Sequence, residues 1–291
     1  MKKKQHYVWK YYLSSWANES NQIWCRRDNN FFYTALENIA QKRYFYEAEA
    51  LNDLEQEIVY KQLASRHPSS IIVNASTLNV YDIVSRGDEE QRRCGLEEYH
   101  TEIEHKVIDT IKLLLNKDMS WIEEKTKKID FCNFLGIQYT RTNRSLMMQK
   151  EMIQEVLKKN PKYNDNVDPI KIVKVLNMVM SNHIGNWIYS SGLFSLISNN
   201  SDVEFVTGDQ PILNIGEKHE DGVAKEMKIY YPLSPKIALL ISNYYVENDI
   251  HDENEVKKYN NFIIDASFEQ IYASSKCSLE RACEVYSSKE S

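Results

Sequence analysis

The chain has 291 residues, of which 42% are hydrophobic and 27% are charged, and its formal net charge at pH 7 is -6. This composition is typical of a folded protein rather than a disordered one, and the length allows a sizeable core. The acidic balance excludes a general attraction to nucleic acid or to an anionic membrane, so a polyanionic partner would need a local basic patch.

The first region, residues 1–66, opens with an aromatic stretch that has no clear period. A turn at residues 18–21 and a short strand at residues 23–26 are predicted to follow it. From Asn52 onward, apolar residues at helical spacing predict a helix.

The middle region, residues 77–199, has the pattern of a helical segment. Asp88 is predicted to cap a helix that begins at Glu89. A second helix is predicted over residues 121–139, and it should be buried because its second half is apolar all round. Asp168 and the proline after it predict the start of a third helix.

The last region, residues 203–291, is predicted to be mainly strands, with one short helix among them. The predicted strands are 204–207, 228–231, 237–242 and 270–274, and the helix is 260–264. The order of the three regions predicts a single α+β domain. In this fold the N- and C-terminal regions form a mixed or antiparallel sheet, and a large helical region lies between them in the sequence.

Cysteine and glycine usage narrows the possible chemistry. The five cysteines are scattered and include no CxxC pair, which favours neither a zinc site nor a disulfide framework. The eight glycines form neither GxGxxG nor a P-loop, so dinucleotide and Walker-type chemistry are not expected. No apolar run reaches the roughly 18 residues of a membrane span. We therefore expect a cytoplasmic protein with reduced thiols and no membrane partner.

Two tracts stand out near the end of the chain. In Gly208-Asp209-Gln210-Pro211 the glycine permits a sharp turn, and the proline holds Gln210 out of the helical region, which leaves Asp209 at a strand end. Asp209 is a metal ligand or general base in one interpretation and the cap of an Asx-type turn in the other. The second tract, Pro232–Pro235, offers little chemistry and is expected to shape a strand edge or a turn.

These tracts, with others, carry a resemblance to a known family. The matching segments are His6-Tyr7-Val8, Tyr12-Leu13, Gln138–Thr142, Thr207–Pro211 and Pro232–Pro235. In this order the chain resembles the prokaryotic domain-of-unknown-function family 4238. The resemblance implies one compact bacterial domain and, more loosely, an accessory or effector role in phage defence.

Three residues are the candidates for catalysis. Arg141 follows an apolar helix and would present a planar fork to a phosphate, or would instead form a salt bridge or cap the preceding helix. His6 would donate or accept a proton, or would be a partly buried structural ring. Asp209 would bind a metal or orient water. Around them, Lys10, Gln138, Arg144 and Gln210 are assigned to substrate binding.

A metal site is also considered. Glu226 and Lys228 point to one face of a predicted strand that would neighbour Asp209, which is the arrangement of restriction-type nucleases that bind Mg²⁺. Asp209 and Glu226 would then be the ligands. Elsewhere Glu98, Glu102 and His105 fall on one helical face, where a solvated charged surface is a simpler explanation than a metal site.

The hypothesis from these residues is an effector enzyme that acts on a phosphate-bearing substrate, most plausibly a nuclease on RNA or DNA in a defence or toxin-like role. The cofactor would be Mg²⁺, and the partner a nucleic acid or nucleotide. The alternative is a non-enzymatic binding or partner-dependent regulatory module, in which the tracts are only landmarks of the fold. A protein partner or a homo-oligomer is compatible with either.

Overall fold

The fold is that of a computed structural model, which describes residues 3–64, 70–163, 166–217, 219, 224–246 and 248–287. Its helices are α1 Lys10–Leu13, α2 Asp53–Ala64, α3 Ile71–Ser85, α4 Glu89–Leu115, α5 Lys125–Thr140, α6 Asn143–Lys158, α7 Pro169–Ser191, α8 Glu253–Ala266 and α9 Lys276–Ser287. Its strands are β1 Lys4–His6, β2 Gln22–Arg27, β3 Asn30–Ala35, β4 Gln41–Arg43, β5 Leu193–Asn199, β6 Thr207–Gly208, β7 Leu213–Asn214, β8 Ile229–Ser234, β9 Ile237–Ser242, β10 Asn248–Ile250 and β11 Gln270–Ala273.

The strands form sheets that join distant parts of the chain. A four-stranded antiparallel sheet has the order β3-β2-β11-β6, so an N-terminal pair of strands joins a C-terminal pair where β2 meets β11. A five-stranded sheet has the order β10-β5-β9-β8-β7 and is antiparallel except between β10 and β5. A short ribbon pairs β1 with β4. The α+β class and the sheet shared by the two ends of the chain are confirmed.

The helical region follows local signals in the sequence. Asp88 caps α4 through a reciprocal capping box with Gln91, and the Asp168 carboxylate caps α7. The apolar half of α5 is buried, as predicted. Helices α5 and α7 lie close together where they meet: a Cβ atom on Gly185 would lie 2.9 Å from the carbonyl oxygen of Cys132. Glycine therefore permits this helix contact.

Helix α3 has an unusual distribution of side chains. Its buried residues are Asn74, Thr77, Tyr81 and Ser85. Its exposed large residues are apolar and include Ile71, Ile72, Val73, Val80 and Ile83. Hydrogen bonds from His183 to Asn74 and from Asn182 to Thr77 hold the polar face against α7. The helix is therefore inverted relative to an ordinary amphipathic surface helix.

Two predicted elements are wrong in their extent. Residues 121–139 are not one helix, because Ser120–Glu123 is a 3₁₀ turn and Glu124 has extended backbone before α5 begins. Of residues 204–207, only Thr207 lies in a strand, β6. The backbone before it bonds to other groups: Val206 N–H donates to Asn260 Oδ1, and Phe205 N–H donates to the carbonyl of Pro235.

Other elements differ in length or were not predicted. Residues 193–199, assigned by sequence to the helical region, form strand β5 in the five-stranded sheet. The predicted helix 260–264 is the second half of α8, which begins after an Asp252 cap. Strand β8 runs through Pro232 with an irregularity beside it. The predicted boundary at Arg66 lies outside the described residues. None of the described helices has the length and hydropathy needed to cross a membrane.

Candidate functional site

Asp209 lies directly after β6 and is 1% exposed. Its carboxylate accepts hydrogen bonds from the backbone N–H groups of Phe268 at 2.7 Å, Glu269 at 2.7 Å and Gln270 at 3.1 Å. Burial raises the pKa of Asp209 to about 6, and these N–H groups oppose the rise. Asp209 therefore clamps the turn before β11, whereas an Asx-type turn would use backbone N–H groups close to Asp209 in the sequence.

Gln210 extends this connection to the helices. Its amide donates to the carbonyl oxygens of Ile212 at 2.8 Å and Tyr139 at 3.2 Å. Its Oε1 accepts a hydrogen bond from the hydroxyl of Thr142, which also caps α6. The residue predicted to bind substrate is buried and joins the strand end to the α5–α6 junction.

Arg141 lies at the end of α5 and is 6% exposed. Its Nε and Nη2 atoms donate to Gln138 Oε1 at 3.2 and 2.7 Å, and Nη2 also pairs with the Glu104 carboxylate. Burial acts to lower the pKa of Arg141, but the charge and hydrogen bond of Glu104, with the charges of Tyr46 and Glu97, together outweigh it and the pKa is raised. Arg141 is therefore a buried cation whose charge Glu104 partly compensates.

Tyr7 separates the Arg141 and Asp209 clusters. The amide of Gln138 donates to the backbone carbonyl of Tyr7 at 3.0 Å, whereas the Tyr7 hydroxyl lies 3.4 Å from the amide of Gln270. Burial, followed by the charge of Asp209, raises the pKa of Tyr7. The structure thus joins Arg141 and Asp209 through one network, but it turns their charged groups toward different partners.

The remaining predicted residues have other surroundings. The carbonyl of His6 accepts from the Tyr46 hydroxyl at 3.2 Å, and Lys10 pairs with Glu37 at 3.5 Å. Arg144 is half-buried in the first turn of α6. Glu226 precedes β8 in the five-stranded sheet, so it is not on a strand neighbouring β6, as the metal-site prediction assumed. The described residues contain no group of three or more His, Cys, Asp or Glu side chains suited to a metal ion.

The aromatic residues of the family-like tracts also meet inside the protein. Tyr12 stacks on Tyr231 with ring centroids 4.9 Å apart, and its hydroxyl lies 2.6 Å from that of Thr207. The indole N–H of Trp16 donates to the carbonyl of Phe205 at 2.8 Å. Here the segments that look like motifs hold the N-terminal region, β6 and β8 together.

A cavity of about 400 Å³ lies on the helical side of Arg141, between α3, α4, α5 and α7. Arg141 and His100 line it, together with Tyr46. The ring of His100 packs edge-on against Tyr46 with centroids 4.5 Å apart. Its Nδ1 atom is buried and makes no hydrogen bond within the described part of the chain. Burial lowers the pKa of His100 well below its usual value, so the ring is neutral near pH 7.

The charged side chains that line the cavity have one sign. Arg141 and Lys174 are among them, and no aspartate or glutamate is found in the lining as the structure describes it. The Lys174 ammonium donates to the backbone carbonyl of Glu47 at 2.6 Å. Burial lowers its pKa, although nearby carboxylates including Glu49 oppose this. The cavity therefore offers an environment suited to an anionic group.

Sequence reasoning identified only part of this cavity. Arg141 was predicted as a candidate, whereas neither His100 nor Lys174 was assigned to a site. A signal was present for His100, because it shares a helical face with the apolar Leu96, Ile103 and Val107. Lys174 offers no such signal, since a lysine on a helix is ordinarily solvated.

Comparisons with known proteins give one match. The model of a family described as "Protein of unknown function (DUF4238)" matches residues 4–277. No curated protein matches the chain, and neither does any solved structure.

Proposed function

We propose, from the premise that the chain belongs to the DUF4238 family, that it is a binding module for a small molecule with an apolar body and one anionic group. The ligand would occupy the cavity between α3, α4, α5 and α7. The observation that carries the proposal is the charge of the cavity, because the two charged side chains in its described lining, Arg141 and Lys174, are both cations. His100 also lines the cavity, and its buried Nδ1 atom has no hydrogen-bond partner in the described chain. A largely apolar pocket with a few convergent polar groups is typical of a ligand site.

Lys174 is the main attraction for the anion in this proposal. The Arg141 charge is partly compensated by Glu104, but the Lys174 ammonium donates only to a backbone carbonyl among its described hydrogen bonds. An ammonium has three donors, so two remain for a ligand. A neutral His100 would accept a hydrogen bond at Nδ1 or donate one, according to its tautomer.

The contacts of the clamp explain why binding is preferred to hydrolysis. The described hydrogen bonds of the Asp209 carboxylate all come from backbone N–H groups, which is typical of a structural carboxylate. The nuclease hypothesis built on His6, Arg141 and Asp209 stays a prediction. It requires RNA or DNA cleavage that Asp209→Ala abolishes in a protein that remains folded.

Calorimetric titration with naphthalene-1-sulfonate tests the proposal, with the neutral naphthalene-1-sulfonamide as its isosteric control. The sulfonate should bind, and Lys174→Met should weaken it about tenfold or more, as expected for a charge-assisted hydrogen bond. Lys171→Met is the matched control, because Lys171 lies one turn away on α7, pairs with Glu49 and does not line the cavity. Equal effects of the two lysine variants, or no sulfonate binding, would overturn the proposal.

A further inference from the structure

The inverted helix α3 forms one side of this cavity. Three of its outward apolar residues, Ile72, Val73 and Val80, line the cavity and are 79%, 47% and 48% exposed. The mouth of the cavity is therefore rimmed by side chains that a soluble protein ordinarily buries. The polar groups Arg141 and His100 lie at the buried end, where each is less than 10% exposed.

An apolar mouth with polar groups at the buried end is the reverse of what a small hydrophilic ligand would require. Such a ligand would leave the apolar rim in water and would gain nothing from it. A ligand with a charged head and a long apolar tail matches both ends, since its head would meet the cations and its tail would cover the rim.

From this geometry we infer that the ligand is a single-chain anionic amphiphile. Its head lies at Arg141, Lys174 and His100, and its alkyl chain leaves the cavity across the outward face of α3. The inference rests on the proposed function and names the ligand class of the same cavity. It also gives the exposed side chains of Ile72, Val73 and Val80 a role, because the alkyl chain removes them from water.

The charge of α3 favours a free amphiphile over the surface of a bilayer. Asp82 is the only charged residue within α3, and it pairs with Arg86 at 2.7 Å. Helices that lie on anionic membranes carry lysine and arginine along their polar face, whereas the polar face of α3 is uncharged and packs against α7.

The alkyl chain gives the inference a quantitative signature. Each methylene that is taken out of water should tighten binding by up to about fourfold. The series hexanoate, octanoate and decanoate, each below its micelle concentration, should therefore show a dissociation constant that falls steadily. Decan-1-ol should bind more weakly than decanoate, because it lacks the charge that Lys174 and Arg141 recognise.

Variants of α3 separate the cavity rim from the rest of its apolar face. Ile72→Ser and Val80→Ser should each weaken decanoate by about threefold to tenfold and flatten the chain-length series. Ile83→Ser is the matched control: Ile83 is 64% exposed on the same helix but does not line the cavity. Because all three residues are exposed, the variants should fold, and thermal melts will confirm this.

The outcomes distinguish the inference from the proposed function. Sulfonate binding without any dependence on chain length would overturn the inference and leave the proposed function standing. Loss of both sulfonate and decanoate binding would overturn the two together. A third outcome is that the protein binds phosphatidylglycerol vesicles and that Ile83→Ser weakens this binding as much as Ile72→Ser does. This would also overturn the inference, since it would show that the whole α3 face meets a bilayer.

Discussion

The turn clamped by Asp209 and the cavity beside His100 both contain buried polar groups, but the two regions differ in how far these groups are hydrogen-bonded. At the clamp, both carboxylate oxygens of Asp209 accept backbone hydrogen bonds, and Gln210 is bonded to two further segments. At the cavity, a ring nitrogen of His100 has no partner in the described chain, and the neighbouring helix turns its apolar residues outward. The first arrangement completes a fold, and the second leaves room for a ligand.

The difference shows that a distinctive tract and a binding site need not coincide. Thr207–Pro211 and Pro232–Pro235 look like motifs because turns and strand pairing constrain their residue types. The cavity is lined by residues from several helices, and none of them belongs to a compact tract except those next to Arg141. Variants of the two regions should therefore differ in what they change: stability at the completed clamp and ligand binding at the open cavity.

The largest effect is expected from Asp209→Asn. The asparagine amide would face N–H groups of the 268–270 turn and leave at least one of them without an acceptor, so the free energy of unfolding should fall by about 4 kcal/mol. Urea unfolding measures this. Asp202→Asn, on an exposed residue of the same segment, is the control and should cost less than about 0.5 kcal/mol. Equal stability of the two variants would show that Asp209 is not a clamp.

A pH effect of about 2 kcal/mol between pH 4.5 and pH 7 is expected from the same residue. The pKa of Asp209 is about 6 in the folded protein, against an ordinary value of 3.8, because of burial. Between about pH 4 and pH 6 the folded state binds more protons than the unfolded state. Stability contributed by this group is therefore present at low pH and is lost as pH rises through 6. Urea titrations at pH 4.5 and pH 7 should show that wild type loses stability relative to Asp209→Asn as pH rises, because the contributions of all other titrating groups are common to the two proteins and cancel in the difference.

The clamp is the region where sequence reasoning came closest to the structure. The glycine, the following proline and the predicted strand that ends at Thr207 located Asp209 at a strand end. The partners of its carboxylate come from residues 268–270, about 60 positions later, and no local sequence pattern predicts a contact over such a distance. Helix caps at Asp88 and Asp168 were predictable for the opposite reason, since a cap and its donor lie within one turn.

The cavity region should respond to pH with the opposite sign. Burial holds the pKa of His100 well below 6.5, so the unfolded state gains a proton there as pH falls and the folded state does not. Stability should decrease below pH 6.5, by up to about 1.4 kcal/mol per pH unit. His100→Phe should remove this dependence, whereas His105→Phe, on the exposed face of the same helix, should retain it. An unchanged slope in His100→Phe would contradict the burial of a neutral ring.

Helix α3 shows why the cavity could not be predicted. Hydrophobic periodicity identifies a helix by assuming that its apolar residues face the core. In α3 the apolar residues face outward and the polar ones bond to α7. Hydrophobic periodicity would therefore place the wrong face of this helix against the core. The predicted helical region began near residue 77, whereas α3 begins at Ile71. Strand β5 was missed for a related reason, because its apolar residues directly follow those of α7.

The smallest effects come from exchanging polarity on the two faces of α3. Thr77 accepts a hydrogen bond from Asn182 at 2.7 Å, and Thr77→Val should cost about 1 kcal/mol because that amide loses its acceptor. Ile83→Ser should change the free energy of unfolding by less than about 0.5 kcal/mol, since Ile83 is exposed. In an ordinary amphipathic helix the order would be reversed. Urea unfolding of the two variants therefore decides whether α3 turns its polar face inward, on which the assignment of its apolar face to an alkyl chain depends.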